Sequence, residues 1–258
     1  MRLYLMYVKK QLKTNFIYRG SSFMAMVGQT LNNIASFIAV YILFQKFHTL
    51  NGYSFGEILI TYSVVTFTFS FSEMMFRGFD EFDRLIGTGT LDALLLRPRN
   101  IVLQICGQKI ETMKLGRVVF SLALLVVACV ISPVQWSIVK VIVLIEMLIA
   151  GVIVFFGIFL LTATVTIFTI KTPEFVNVLT YGGREICYYP LDVFRKFITK
   201  FFTFIIPYAT FNYIPLKYLL YGSSAGIFTI FYPWVSIVFA VICYAIFNYC
   251  LRFYKSAG

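Results

Sequence analysis

The chain has 258 residues, 60% hydrophobic and 13% charged, with a formal net charge of +11 and a mean hydropathy of +0.84. A soluble domain carries roughly 45 to 50% apolar residues, so this composition lies outside the soluble class and indicates a multi-pass integral membrane protein. His48 is the only histidine, which excludes a multi-histidine metal centre, and Cys106, Cys129, Cys187, Cys243 and Cys250 show no C-x-x-C spacing.

The N-terminal stretch MRLYLMYVKKQLKTNF has about six apolar residues before Lys9 and Lys10, too few for the hydrophobic region of a signal peptide. Leu5, Val8, Leu12 and Phe16 recur at i, i+3, i+7 and i+11, with Lys9, Lys10 and Lys13 mostly off that stripe. The pattern predicts an amphipathic helix over 1–20 lying in the membrane interface. The plainer alternative is a basic flank to the first span.

Apolar windows follow at roughly 22 to 44, 55 to 76, 110 to 131, 138 to 168, 174 to 190 and 226 to 251. Each is near or above the ~18 to 20 residues that cross ~30 Å of hydrocarbon. None shows the ten-residue alternation of a transmembrane barrel strand. The expected fold is an all-α membrane protein of six transmembrane helices, a single transmembrane domain over 1–258.

Orientation follows from the cations. With the N-terminus inside, Arg2, Lys9, Lys10, Lys13, Arg19, Arg77, Arg84, Arg97, Arg99, Lys109, Lys114, Arg117, Lys171, Arg252 and Lys255 face the cytoplasm. Lys46, Lys140, Arg195, Lys196, Lys200 and Lys217 face outward, a bias of about 15 to six that puts both termini in the cytoplasm. The net charge then reads as a topology signal and an attraction to anionic headgroups. No basic patch is interleaved with stacking aromatics in a soluble domain, which argues against nucleic acid as a partner.

The most informative interruption is FDEFDRLIGTGTLDALLLRPRN, beginning at Phe79 and lying in a cytoplasmic region over 77–109. Phe79, Phe82 and Ile86 continue a helical stripe, which Gly87 and Gly89 then break. Thr90 is a candidate N-cap, Asp92 suits the first turn, and Arg97 and Pro98 close a helix of about two turns. Its Leu91, Leu94, Leu95 and Leu96 predict an exposed apolar surface that a partner would cover. Alternatively, the leucines of a solvated loop fold back onto the membrane.

Glu146, Arg184 and Glu185 fall inside apolar windows, where a charge is costly unless it faces protein or water. Similar depths predict that Glu146 pairs with Arg184, within the chain or across a subunit boundary, leaving Glu185 toward a path. Structural pairing and contact with a transported molecule both remain open for them. Over Tyr188–Gly222, Pro190, Pro207 and Pro215 each remove a backbone donor, so the stretch is not a simple span. It reads as a re-entrant or interfacial hairpin over 190–222 on the outer side, with its aromatics serving either as an interfacial belt or in gating.

GTLDALLLRP resembles the cytoplasmic motif of ABC type-2 exporter permeases, in the branch similar to viologen and daunorubicin exporter permeases. YYPLDVFRKFITKFFTFIIPYATFNYIPLKYLLYG is similar to the same branch in its Tyr-Pro-Leu start and its spaced prolines before a glycine turn. The resemblance implies a permease subunit of an ATP-driven exporter, moving a hydrophobic or amphipathic substrate outward across a bacterial plasma membrane. It implies two ATP-binding cassette subunits, a second permease that is identical or homologous, and surrounding membrane lipid as partners. Gly89, Thr90, Leu91, Asp92, Leu95, Arg97 and Pro98 would form the ATPase-coupling element. No G-x-x-x-x-G-K-[ST] loop occurs, since Gly107-Gln108-Lys109 lacks the upstream glycine and the hydroxyl residue, so ATP and Mg are expected on the partner. No Ser/His/Asp or Cys/His set supports a hydrolase either. A secondary transporter or channel working without an ATPase, and a membrane anchor or assembly partner, are the other function classes.

Overall fold

A computed structural model describes residues 9, 19–47, 49–169 and 171–255. His48 and nearly all of the expected interfacial helix over 1–20 lie outside the described residues.

The chain opens with α1 (Arg19–Phe47), followed by α2 (Phe55–Asp80). The Glu57 carboxylate accepts the Ser54 backbone N–H at 2.7 Å and starts α2. Three short helices come next, α3 (Phe82–Gly87), α4 (Thr90–Leu95) and α5 (Ile101–Gln108). The long helices resume with α6 (Leu115–Ile131) and α7 (Ile138–Thr169). Beyond them lie α8 (Glu174–Asn177), a π-helical turn over Val178–Gly182, α9 (Gly183–Cys187), α10 (Lys196–Phe204), α11 (Tyr208–Phe211), α12 (Tyr213–Tyr221) and α13 (Val235–Cys250).

The helix α2 is the axis of the bundle. Buried residues make up 83% of its most apolar window, against 17% for α1 and 22% for the last span. Small hydroxyl residues let neighbours approach it: Thr61, Ser63 and Thr68 are fully buried and bond to backbone carbonyls, Thr61 reaching Tyr188 O at 3.0 Å. Phe69 fills the centre, with its ring 5.1 Å from that of Phe155 on α7.

Cross-chain contacts fix the direction of each helix. Glu73 of α2 meets Lys114 and Arg117 at the start of α6, and Gly56 lies against the backbone of Ser132 at its other end. Phe156 of α7 packs on Phe76 and Phe79, and Phe247 of α13 packs on Phe79 and Phe82. The α2, α7 and α13 helices therefore all run toward the end that carries α3, α4 and α5.

Among the described residues, five helices are long and apolar enough to cross a membrane: Gly20–Phe47, Phe55–Gly87, Thr112–Ile131, Ile138–Thr169 and Phe228–Phe253. The remaining expected span, 174 to 190, is not such a helix. Pro173 and Pro190 bound it, the π-turn interrupts it, and its helical part over 174–187 is only about 21 Å long. It nevertheless runs antiparallel to α2 along most of that helix. Tyr181 donates to Asp80 at 3.1 Å near the α4 end, the Tyr188 ring lies 4.6 Å from that of Tyr62, and Tyr53 donates to Asp192 at 2.8 Å at the far end.

Residues 190–222 then fold as a helical hairpin whose tip, Tyr208–Phe211, is buried inside the bundle. Tyr208 donates to Leu179 O at 2.9 Å, Phe211 packs on Phe155, and Asn212 donates to Cys187 O at 2.6 Å. Pro190 and Pro207 stand at the breaks before residues 191 and 208. Pro215 instead sits in the first turn of α12, where its missing N–H costs nothing.

Candidate functional site

The α4 helix is short because glycine punctuates it. Gly87 ends α3, and Gly89 caps α4 with φ 65°, a left-handed conformation that costs any residue with a Cβ roughly 1 kcal/mol or more. The cap is therefore Gly89 and not Thr90, which occupies the first helical position with its hydroxyl 2.8 Å from that of Thr88. The leucine face also divides. Leu91 and Leu94 are buried, whereas Leu95 is 40% and Leu96 87% exposed. The expected four-leucine surface is thus a two-leucine ridge standing on a two-leucine root. Arg97 and Pro98 lie beside that ridge in an exposed turn.

Two polar side chains hold this unit in place. Buried Gln104 of α5 donates to the carbonyls of Leu94 and Arg99, satisfying the end of α4, and Asn100 caps α5 while donating to the Tyr244 hydroxyl at 3.0 Å. The Tyr254 hydroxyl lies beside Asp92, and its pKa is raised by burial and by that carboxylate. The C-terminal segment therefore packs at the α4 end. Where α2 crosses α5 there is no room for a side chain: a Cβ on Gly78 would stand 2.2 Å from Ile105 O.

Below α3 and α5 lies a cluster of charges. Glu73, only 2% exposed, receives Arg117 Nη1 at 2.9 Å, Lys114 Nζ at 3.0 Å and Arg77 Nη1 at 3.3 Å. Arg77 also contacts Asp80, Glu81 and Glu111, and Lys109 of the α5 end pairs with Glu81. Tyr181 adds hydrogen bonds to Glu73 and Asp80 from the 174–193 segment. Four carboxylates (Glu73, Asp80, Glu81, Glu111) thus meet five cations (Arg77, Arg84, Lys109, Lys114, Arg117), joining α2, α3, α5, α6 and the segment carrying Tyr181. A cleft of about 390 Å³ opens beside them, lined by Glu81, Arg84, Thr88, Gln108 and Lys109.

Sequence reasoning missed Glu73, although it lies inside the second apolar window. The signal was available: Glu73, Arg77 and Glu81 step by four along one helix face, and Lys114 and Arg117 step by three at the start of the next span.

The three charges singled out from the sequence do not come together. Arg184 pairs with its neighbour Glu185, and no ion pair joins Arg184 to Glu146 among the described residues. The guanidinium of Arg184 lies over the Phe69 ring at 4.7 Å, an aromatic contact that composition alone did not reveal. Adjacent side chains leave a helix about 100° apart, but a long arginine curls back to a half-exposed glutamate; Glu185 is 52% exposed and so is not buried. Glu146 lines a separate apolar cleft with Ile149, Ile153 and Trp234, and its Oε2 is buried without a hydrogen-bond partner among the described residues.

A model of ABC-2 family transporter proteins matches residues 30–258, which takes in everything from the middle of α1 through α4, the charge cluster and the hairpin. The chain belongs to the ABC-2 transporter family. As a protein of that family it is a multi-pass membrane protein and a permease component of an ABC transporter. Comparisons with curated proteins and with solved structures return no match.

Proposed function

We propose that this ABC-2 permease is one half of an ATP-driven exporter and that α4 is the element an ATP-binding cassette subunit grips. The observation that carries this reading is the ridge of Leu95 and Leu96, exposed at one end of the bundle while Leu91 and Leu94 anchor it from behind. An apolar ridge on a rigid root is what a docking helix needs, and Gly89, Thr90, Asp92, Arg97 and Pro98 shape its two ends.

Movement of α4 has two routes inward. One is the contact of Ile105 on Gly78, where no side chain cushions the backbones. The other is the charge cluster, in which Lys109 holds Glu81 and Arg77, Lys114 and Arg117 hold Glu73. Close-packed interiors transmit displacement rather than absorb it. A nucleotide-driven shift at α4 would thereby reach α2, the central helix, and alternately expose a path between two permease subunits.

In this reading the α4 end is cytoplasmic, as the cation bias supports, and both termini are cytoplasmic. The 174–193 segment is the sixth crossing, and the 190–222 hairpin, with Pro190 and Pro207 at its bends, enters from outside a bacterial plasma membrane. The cargo is hydrophobic or amphipathic, in keeping with the branch that the α4 motif resembles. Glu146 and the Arg184–Glu185 pair are the charged groups closest in kind to what a path would carry. ATP and Mg bind to two cassette subunits, and the second permease is a copy or a homologue.

The test is purification in mild detergent of the wild type and of Leu96→Asp. Wild type should bring an ATP-binding subunit and ATPase activity with it. The variant should lose both while its permease still elutes as a single, non-aggregated species, because the charge lands on the surface to be buried. Equal ATPase activity in the two preparations would rule out docking through this ridge.

A further inference from the structure

The outward face of α10 serves neither the bundle nor the α4 machinery. The helix begins just after Asp192, whose carboxylate accepts the Tyr53 hydroxyl and whose backbone carbonyl receives Asn51, so it starts at the end of the molecule opposite α4. One side packs inward: Phe202 is 6% exposed with its ring 5.5 Å from that of Tyr208, and Thr199 donates to Leu191 O at 2.8 Å. The other side does not pack at all. Phe197 is 79% and Phe204 81% exposed, and Ile205 beyond them is 63% exposed.

Cations share that side. Phe197, Lys200 and Phe204 fall at i, i+3 and i+7, one stripe of a helix, and Lys196 and Arg195 flank its start. All three cations are exposed, and none takes part in any ion pair found among the described residues. Lys217, the next cation along the hairpin, is different, because its ammonium is already spent on the Tyr213 ring at 4.3 Å. The arrangement is graded along the helix. Positive groups cluster where α10 starts, at the level of the loop holding Tyr53, and the bare apolar groups Phe204 and Ile205 come later, as the chain turns into the bundle toward buried Tyr208.

We propose that this face binds anionic phospholipid headgroups in the leaflet at the end opposite α4. Arg195, Lys196 and Lys200 take the negative headgroups with Phe197 among them, while Phe204 and Ile205 sit in the acyl boundary below. Charge complementarity selects the occupant: unpaired cations over an apolar surface match a lipid with net negative charge, and a zwitterionic lipid offers them its phosphate only beside a competing ammonium. Amphipathic side chains in membrane proteins divide themselves between headgroup and hydrocarbon in this way. Each cation near an anionic surface strengthens binding by about fivefold. The inference rests on the chain being a multi-pass membrane protein and not on the direction of transport or on the docking role of α4.

The experiment uses purified full-length protein in detergent, offered phosphatidylglycerol and phosphatidylcholine in separate titrations, with bound lipid counted by native mass spectrometry. Wild type should prefer phosphatidylglycerol, and the preference should weaken as salt rises. Lys196→Gln combined with Lys200→Gln should lower phosphatidylglycerol affinity by about 25-fold, the product of two fivefold steps, and leave phosphatidylcholine unchanged. Lys46→Gln with Lys140→Gln removes the same charge from the same end but off the α10 face, and should lower phosphatidylglycerol affinity by much less than the ~25-fold of the α10 variant. The proposal fails if wild type shows no preference, if the α10 variant retains phosphatidylglycerol like wild type, or if the control variant loses as much. The salt titration of wild type decides the matter without any variant, since a salt-independent preference also overturns it.

Discussion

Glu73 and Arg117 form a 2.9 Å ion pair between the second and third long helices, at side-chain exposures of 2% and 6%. Neither partner has water to fall back on, so the pair is held by its surroundings. Lys114 and Arg77 crowd the same carboxylate. If Glu73 were lost, Arg77 would keep Asp80, Glu81 and Glu111, and Lys114 would keep Glu111, but Arg117 would have no other carboxylate partner among the described residues.

Glu73→Gln should therefore be among the most damaging single changes in the protein. Breaking a buried pair from one side costs about 3 to 5 kcal/mol, because an uncompensated charge is left behind. Removing Arg117 as well, with Arg117→Gln, should recover part of that loss. Thermal unfolding in detergent of the two single variants and the double variant gives the coupling directly. Strictly additive losses would mean that the two residues act independently.

A second prediction separates close packing from glycine flexibility. An alanine at Gly78 would drive its Cβ to 2.2 Å from Ile105 O, backbone against backbone, whereas Gly87 has nothing within 4 Å of the same added atom. Gly78→Ala should cost about 1 to 3 kcal/mol through overpacking. Gly87→Ala, in an unstrained helical position, should be neutral or stabilising by a few tenths to about 1 kcal/mol. If α5 drives α2 through this contact, Gly78→Ala should also lower transport more than its effect on folded yield explains. Equal behaviour of the two variants in both assays would remove the contact from the coupling route.

What was legible in the sequence follows from the range over which each signal acts. Hydrophobic windows report local composition, so α1, α2, α6, α7 and the last span could be read with near-correct bounds. The breaks at Gly87 and Gly89 were legible because glycine acts on its own backbone. Burial within α4 was not, since Leu91, Leu94 and Leu95 share one face at i, i+3 and i+4 and only the tertiary contacts decide which of them face in. Arg184 shows the same limit. Its partner was sought on another helix at equal depth, but a flexible guanidinium can reach its own neighbour while lying on Phe69, and no periodicity encodes that. Glu73 was lost for a different reason. A window average that tolerates one charge hides it, although the spacing to Arg77 and Glu81 marked a charged face.

The last prediction concerns topology, and it turns on the segment over 174–193. Tyr254 lies by Asp92, and Asp192 lies by Tyr53, so the geometry places the C-terminal segment with α4 and the start of α10 at the opposite end. Five crossings alone would put the ends of the chain on opposite faces, and only a crossing by 174–193 brings them to the same one. Single cysteines test this. Ser223→Cys, in an exposed turn after the hairpin, should react with an impermeant maleimide on intact cells. Thr88→Cys and Lys255→Cys, both exposed at the α4 end, should react only after permeabilisation. The background needs Cys129 and Cys250 replaced by alanine, because both are partly exposed. Cys106 can stay, since burial pushes its thiol up to about 12 and the thiolate is the species that reacts. Labelling of Thr88→Cys and Lys255→Cys from opposite faces would mean that 174–193 does not cross. Labelling of all three sites with the faces exchanged would keep the six crossings and invert the protein in the membrane.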